Sequence, residues 1–257
     1  MRELAIASPS STSFQQAVWL WTALGRLGGF RMQEFAMDKH DTIGYYFTPA
    51  GNRVARAFTL KNFIFYSNSD VVVTWNEALR APDSVARIAT EYDIQKNRVN
   101  GQLITFSRED RYPDFCPVRL ALSIVQLAID LGASRPTDPL CLYKNNNGII
   151  QYLTGESITQ YYRYVTRLVF PAVSDADLAL VSTHSIRVTA CVLLHEAGMD
   201  ASYIKLRLRW KSNCFEVYLR NAPRIQAQHN EALSHANMAL LQALTDITRN
   251  IPSLSLT

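Results

Sequence analysis

Residues 207–220 read RLRWKSNCFEVYLR, a basic and aromatic run that holds Tyr218 near its end. A free phenol keeps its proton near neutral pH and attacks poorly. It becomes a nucleophile when cations stabilise the phenolate and a base takes the proton. Trp210, in the same run, has one indole N–H donor and no acceptor, which suits contact with an anionic oxygen. Upstream, THSIR sets His184 and Arg187 three residues apart, so at a helix start both project from one face. Ser182 or Thr183 can cap that helix, whose free N–H groups would hold an anion together with the imidazole and the guanidinium. GGFRMQEF repeats the spacing with Arg31 and Glu34. Arg31 lies between Phe30 and Met32 after two glycines that permit close backbone approach, and a guanidinium in an apolar setting needs a fixed partner such as Glu34. Two lysines are also candidates, Lys96 in the turn QKNRVNG and Lys61 in FTLKNF. Taken singly, each has an ordinary alternative: an exposed ion pair, an edge lysine, a packed aromatic.

These side chains need elements to hold them. Residues 13–26 carry Phe14, Val18, Trp21 and Ala23 on an apolar stripe and end on GRLGG, which predicts a helix. A second helix is predicted from near Phe30, carrying Arg31 and Glu34. ARAFTLKNFIFYS, DVVVT, RIATEYDIQ and GQLITFS are β-branched or alternating runs between turn residues, with KNRVNG as the last turn. From Pro117 the pattern is helical, first in PVRLALSIVQLAIDLG and then, after a loop containing KNNNG, in TGESITQYYRYVTRLVF with Ser157 as cap. STHSIRVTACVLLHEAG sets Ile186, Ala190, Leu193 and Ala197 on one face and stops at Gly198. A shorter helix follows from Asp200, and the last helix is expected over about 224–248. The fold class is therefore mainly α with a small antiparallel β-sheet (α+β). Residues 1–12 are expected to be flexible, 13–248 to form one domain with its sheet near 55–107, and 249–257 to form a tail.

The 257 residues are 48% hydrophobic and 19% charged, a balance that suits a soluble globular chain. A formal net charge of +4 permits a polyanionic partner without requiring one. Between Ala201 and Arg224 six cations face one acid, Glu216; Lys205, Arg207, Arg209, Lys211 and Arg220 are therefore candidates for phosphate contact, with a solvated helical face as the alternative. Cys116, Cys141, Cys191 and Cys214 are scattered without a Cys-x-x-Cys pair, which fits reduced thiols inside a cell. The apolar run AVWLWTAL is too short to span a bilayer and follows no basic leader, so neither anchor nor secretion signal is expected. No carboxylate cluster reads as a metal site.

In order, these residues give an arginine on an early helix, a lysine on a β-turn, His-x-x-Arg opening a late helix, then tryptophan and tyrosine. That order resembles the tyrosine recombinase (phage integrase) family. The resemblance is strongest over THSIRVTACVLLHEAGMDASYIKLRLRWKSNCFEVYLR, from Thr183 to Arg220, with GGFRMQEF as the weaker early match; together they cover most of the family's catalytic domain, here residues ~13–240. The sheet region is more similar to recombinases of eukaryotic mobile elements (Crypton- or DIRS-like) than to compact bacterial ones. The resemblance implies DNA cleavage and rejoining through a 3′-phosphotyrosyl link, without cofactor. Tyr218 would be the nucleophile, Arg31 and Arg187 would hold the non-bridging oxygens, and His184 would exchange the tyrosine proton. Lys96, preferred to Lys61, would protonate the departing 5′-oxygen, Trp210 would donate where the family often has histidine, and Glu34 would support Arg31. The implied partner is double-stranded DNA, bound by a homo-oligomer, a tetramer, with no membrane and no small-molecule substrate. The implied location is intracellular, and nuclear in a eukaryotic source. Members of the family carry a helical DNA-clamping domain ahead of the catalytic one, and Arg31 comes too early here to leave room for it. The chain is therefore expected to be a fragment, a decayed element, or a protein relying on another subunit. The alternatives are a DNA-binding remnant without chemistry and a type IB topoisomerase-like activity.

Overall fold

The computed structural model describes residues 13–37, 45–47, 53–55, 57–93, 95, 100–213, 215–219 and 231, with 45–47 and 53–55 as backbone alone. Residues 1–12, expected to be flexible, Lys96, Cys214, Arg220, the helix expected over about 224–248 apart from Glu231, and the expected tail all lie outside the described residues. Helix α1 (Ser13–Gly28) follows the apolar stripe and buries Val18, Trp21, Ala23 and Leu24. It stops where Gly29 turns to φ +58° and the Phe30 N–H donates back to the Gly25 carbonyl at 3.1 Å. The helix expected from Phe30 shrinks to one turn, α2 (Met32–Phe35), with Arg31 at its N-cap position. It ends because Ala36 is extended and the Met37 N–H donates to the Leu153 carbonyl at 2.7 Å, drawing the chain out of the helix.

The sheet region is more broken than the sequence pattern indicates. Strands β1 (Tyr45–Phe47) and β2 (Arg53–Ala55) pair antiparallel as a separate hairpin. ARAFTLKNFIFYS is not one strand: Ala55 ends β2, and Leu60–Asn62 forms a 3-10 turn before β3 (Phe63–Ser67). The Asn62 side chain causes that interruption by accepting the Thr59 N–H at 2.8 Å. Then come β4 (Val72–Val73), a short helix α3 (Trp75–Arg80) capped by Thr74, β5 (Val85–Tyr92) and β6 (Gln102–Ser107). The four strands lie antiparallel in the order β4-β3-β5-β6. Along β6 the alternation is that of a half-buried strand, with Ile104 and Phe106 inside and Leu103 and Thr105 outside.

Helix α4 (Pro117–Asp130) starts on its proline and covers this sheet with Val118, Ala121, Ile124 and Val125. The KNNNG loop is a turn between two three-residue strands, β7 (Leu142–Lys144) and β8 (Ile150–Tyr152), in which Asn145 Oδ1 accepts the Asn147 and Ile149 N–H groups. Helix α5 (Gly155–Val169) is capped by Thr154 rather than Ser157, whose own N–H donates to the Thr154 hydroxyl at 3.1 Å. Helix α6 (Asp175–Leu180), capped by Ser174, has too short a pattern to read from sequence. Helix α7 (Ser185–Glu196) buries Ile186, Arg187, Ala190 and Cys191. Its inward stripe is rotated toward Arg187, which leaves Leu193 and Ala197, expected on the buried face, exposed. Helix α8 (Ala201–Arg207) is capped by Asp200, and one turn, α9 (Glu216–Leu219), carries Tyr218. The described residues thus form an α+β fold with a small antiparallel sheet. Among them no helix is long and apolar enough to cross a membrane.

Where α1 meets α2 and the sheet, the core is aromatic. Trp21 stacks on Phe58 with ring centroids 6.1 Å apart and also meets Phe35, Phe30 and Phe63. Phe58 in turn packs edge-on against Tyr92 at 5.1 Å. This cluster joins the segment that carries Arg31 to the end of β5. Trp21→Ala should therefore cost about 3–5 kcal/mol of unfolding free energy in a denaturant titration. A loss below about 1 kcal/mol would show that the cluster does not organise the core.

Candidate functional site

Phe30 and the start of α2 face the start of α7 and the turn after α8 across a cleft of about 650 Å³. Its walls include Arg31, Thr183, His184, Arg187, Trp210, Lys211 and Tyr218. Three stretches of the sequence, 30–33, 183–187 and 209–218, meet there. Tyr218 is half-buried at the wall, and its hydroxyl lies 2.8 Å from His184 Nε2. Which of the two donates depends on the imidazole tautomer. The Trp210 ring lies parallel to Phe215 at 5.3 Å and tilts toward Tyr218 at 5.9 Å, which holds the phenol at the cleft. Neither Ser182 nor Thr183 caps α7: its N-cap residue is His184, whose own N–H donates to the Ser182 hydroxyl at 3.3 Å. Thr183 instead lines the cleft.

Beneath the walls sits a knot of charge. Arg187 is buried, and its Nη1 donates to the Gly29 carbonyl at 2.6 Å while Nη2 donates to the Leu208 carbonyl. Its guanidinium also lies 4.8 Å from the centre of the Trp210 ring. Arg31 Nη1 pairs with Glu34 Oε1 at 3.2 Å and makes a long contact of 3.5 Å to Gln95 Oε1, while Nη2 donates to the Arg209 carbonyl at 3.0 Å. Arg209, expected among residues that track phosphates, is instead buried. It pairs with Glu34 at 2.8 and 3.1 Å and packs its guanidinium on the Tyr92 ring at 3.8 Å. A buried guanidinium needs a buried partner, and Glu34 is one that the local sequence around Arg209 could not reveal.

Two guanidiniums, those of Arg31 and Arg209, thus share the Glu34 carboxylate, while the third, Arg187, is held by main-chain carbonyls. The imbalance shows in Arg187, whose pKa is held below the ordinary arginine value by burial and by the charges of Arg31 and Arg209, with Glu34 opposing. At neutral pH the guanidinium stays charged, so the excess is positive and an anion in the cleft would relieve it. His184 is likewise held below its ordinary value, by partial desolvation and by Arg187. Its imidazole is therefore neutral at physiological pH and able to accept a proton.

The remaining candidates are dispersed. Lys61 lies in the 3-10 turn rather than on a strand, is exposed, pairs with Asp93 at 2.9 Å and does not line the cleft. Lys96 and Arg220 fall outside the described residues, although Gln95, next to Lys96 in the chain, is buried against Arg31. Lys205 is half-buried and donates to Asn213 Oδ1 at 3.2 Å. Arg207 donates to the Thr105 carbonyl at 3.0 Å and packs over Phe106, which ties α8 to β6. Lys211 is exposed at the cleft's lip. Sequence reasoning missed Gln95 and the carbonyls of Gly29, Leu208 and Arg209, because a main-chain acceptor leaves no trace in residue type. Among the described residues no group of three His, Cys, Asp or Glu side chains is placed to hold a metal ion.

No protein-family model and no curated protein matches the sequence. Among solved structures, the chain is similar to the Tn1549 transposon integrase in complex with transposon right end DNA, at a TM-score of 0.44 and 12% identity. The alignment covers 91% of this chain and 64% of that one, so this chain spans under two thirds of its neighbour's length. That degree of likeness establishes neither a family nor a chemistry.

The close approach of the two loops under the cleft depends on Gly29. Its φ of +58° is in the left-handed region, and an added Cβ would stand 2.3 Å from Leu208 Cδ2. Gly29→Ala should push the loops apart at the carbonyl that holds Arg187 and lower stability by about 1–3 kcal/mol. An unchanged denaturation midpoint would show that the two loops have room to spare.

Proposed function

We propose that this chain cleaves and rejoins DNA through a covalent 3′-phosphotyrosyl intermediate, as the tyrosine recombinases it resembles do. The observation that carries the reading is the 2.8 Å contact between His184 Nε2 and the Tyr218 hydroxyl, in a cleft that Arg31 and Arg187 also line. A phenol beside a neutral base and two cations is the arrangement that attack on a phosphodiester needs.

In the proposed reaction the Tyr218 proton passes to His184 Nε2 and the phenolate oxygen attacks phosphorus. The bond from phosphorus to the 5′-oxygen breaks, and the electron pair leaves on that oxygen, which takes up a proton as a 5′-hydroxyl. Lys96 is the proposed donor of that proton; its neighbour Gln95 contacts Arg31. Arg31 and Arg187 neutralise the non-bridging oxygens, a planar, two-pronged task for which guanidinium is suited. Trp210 donates its indole N–H to one of them, while Glu34 holds Arg31 without reacting. One phosphoester replaces another, so the attack of a 5′-hydroxyl on the phosphotyrosine reverses the step without a nucleotide cofactor. Lys205, Lys211 and Arg220 would meet flanking phosphates of duplex DNA. The finer reading is integration or recombination of a mobile element by a homotetramer, in the nucleus where the source is eukaryotic.

Two measurements test this. On a nicked duplex that traps the covalent product, Tyr218→Phe should form no denaturation-resistant adduct while binding the same duplex within about threefold, and Arg31→Ala or Arg187→Ala should slow adduct formation by roughly 10²–10³. An adduct from Tyr218→Phe would move the nucleophile elsewhere. The pH profile tests the base. Because His184 is held below its ordinary 6.5, the adduct rate at limiting DNA should stay level through neutral pH and fall only as acid protonates the imidazole. His184→Gln should remove that acid limb; a limb that survives belongs to another group.

A further inference from the structure

We infer that Arg209 is a positioning residue for Arg31, acting through two separate contacts from the protein interior. The inference rests on the cleavage reading above, since Arg31 is assigned its task there. Arg209 does not itself reach the cleft with its charge: its side chain is fully buried, at 0% exposure. Both oxygens of Glu34 are shared between the two arginines. Oε1 accepts from Arg31 Nη1 at 3.2 Å and from Arg209 Nη2 at 3.1 Å, and Oε2 accepts from the Arg31 N–H and from Arg209 Nη2, each at 2.8 Å. The second contact is the Arg209 carbonyl, which accepts from Arg31 Nη2 at 3.0 Å.

The backbone makes this second contact available. Arg209 adopts φ +58°, a left-handed conformation uncommon outside glycine. The strain is sustained because the guanidinium is held at its two terminal nitrogens and one face: by Glu34, by the Gly28 carbonyl at 3.2 Å, and by the Tyr92 ring. Arg209 therefore sets both the carboxylate that grips one Arg31 nitrogen and the carbonyl that grips the other. It also hands the chain directly to Trp210. An ordinary buried ion pair would hold Glu34 without reaching Arg31 a second time.

The test uses the full chain and two nicked duplexes, one with an ordinary scissile phosphate and one with a neutral methylphosphonate there. The methyl group removes the charge that Arg31 neutralises, so a defect that acts through Arg31 should shrink on it, whereas a general loss of structure should not. Glycine suits the left-handed backbone, so Arg209→Gly keeps the turn and removes only the side chain. It should slow adduct formation at least about tenfold on phosphate and under about threefold on methylphosphonate, in parallel with Arg31→Ala. Combined with Glu34→Gln it should be no slower than the slower single variant, since both act along one route. Equal slowing on both duplexes, or no slowing on either, overturns the role of Arg209 and leaves the cleavage reading standing. Should Arg209→Gly melt below the assay temperature, Arg209→Lys, which keeps the charge and loses the fork, carries the same comparison. If the unmodified chain forms no adduct on either duplex, the cleavage reading fails, and Arg209 is judged by melting with inorganic phosphate. A phosphate-induced rise in melting temperature that Arg31→Ala abolishes and Arg209→Gly reduces supports the positioning role. The same shift in Arg209→Gly as in the unmodified chain, including no shift in either, overturns it.

Discussion

Glu34 sits in the interior between Arg209, wholly enclosed, and Arg31, which is enclosed on one side and faces the cleft on the other. Taking a carboxylate and a guanidinium out of water costs several kcal/mol per ion, and only good geometry with further hydrogen bonds offsets it. Here the offset comes from main-chain carbonyls: Gly28 and Gly29 for Arg209, and Arg209 itself for Arg31. Arg187 is satisfied in the same manner by Gly29 and Leu208. These carbonyls accept hydrogen bonds from the terminal guanidinium nitrogens but carry no full negative charge. The knot is therefore well hydrogen-bonded and still positive, and the positive side opens on the cleft where Tyr218 stands.

The fold exists at this point to bring two loops within contact. The glycine pair at the end of α1 and the turn after α8 touch because Gly29 has no side chain to hold them apart. Tyr92, at the end of β5, belongs both to the aromatic cluster around Phe58 and to the bed of Arg209. Packing around Trp21 is thus transmitted to the charged knot through one ring. Stability and site geometry share parts, so substitutions that loosen the core at Phe58 or Tyr92 should also loosen Arg31.

Legibility followed the range of the interaction. THSIR could be read because three-residue spacing at a helix start fixes a common face, and Arg31 with Glu34 because the same spacing makes a local pair. The pairing of β5 with β6 could be read from the alternation along β6. Arg209 could not: a cation in a basic run reads as solvated, and its partner Glu34 lies 175 residues away. The sign that something differed was its place between Leu208 and Trp210, both apolar. For α7 the sequence pattern pointed to the stripe through Leu193, whereas Arg187, a charged residue, is what turns the helix inward. Strands of three residues, such as β7 and β8, are too short to leave a period.

A crystal structure of the chain with orthovanadate would test the central claim most directly, because vanadate adopts the five-coordinate geometry of phosphoryl transfer and needs no particular DNA sequence. The expected result is vanadium bonded to the Tyr218 oxygen, with its equatorial oxygens held by Arg31 and Arg187 and His184 still within hydrogen-bond reach. Vanadate bound elsewhere, or a Tyr218 ring turned away from an anion held by the two arginines, would contradict it.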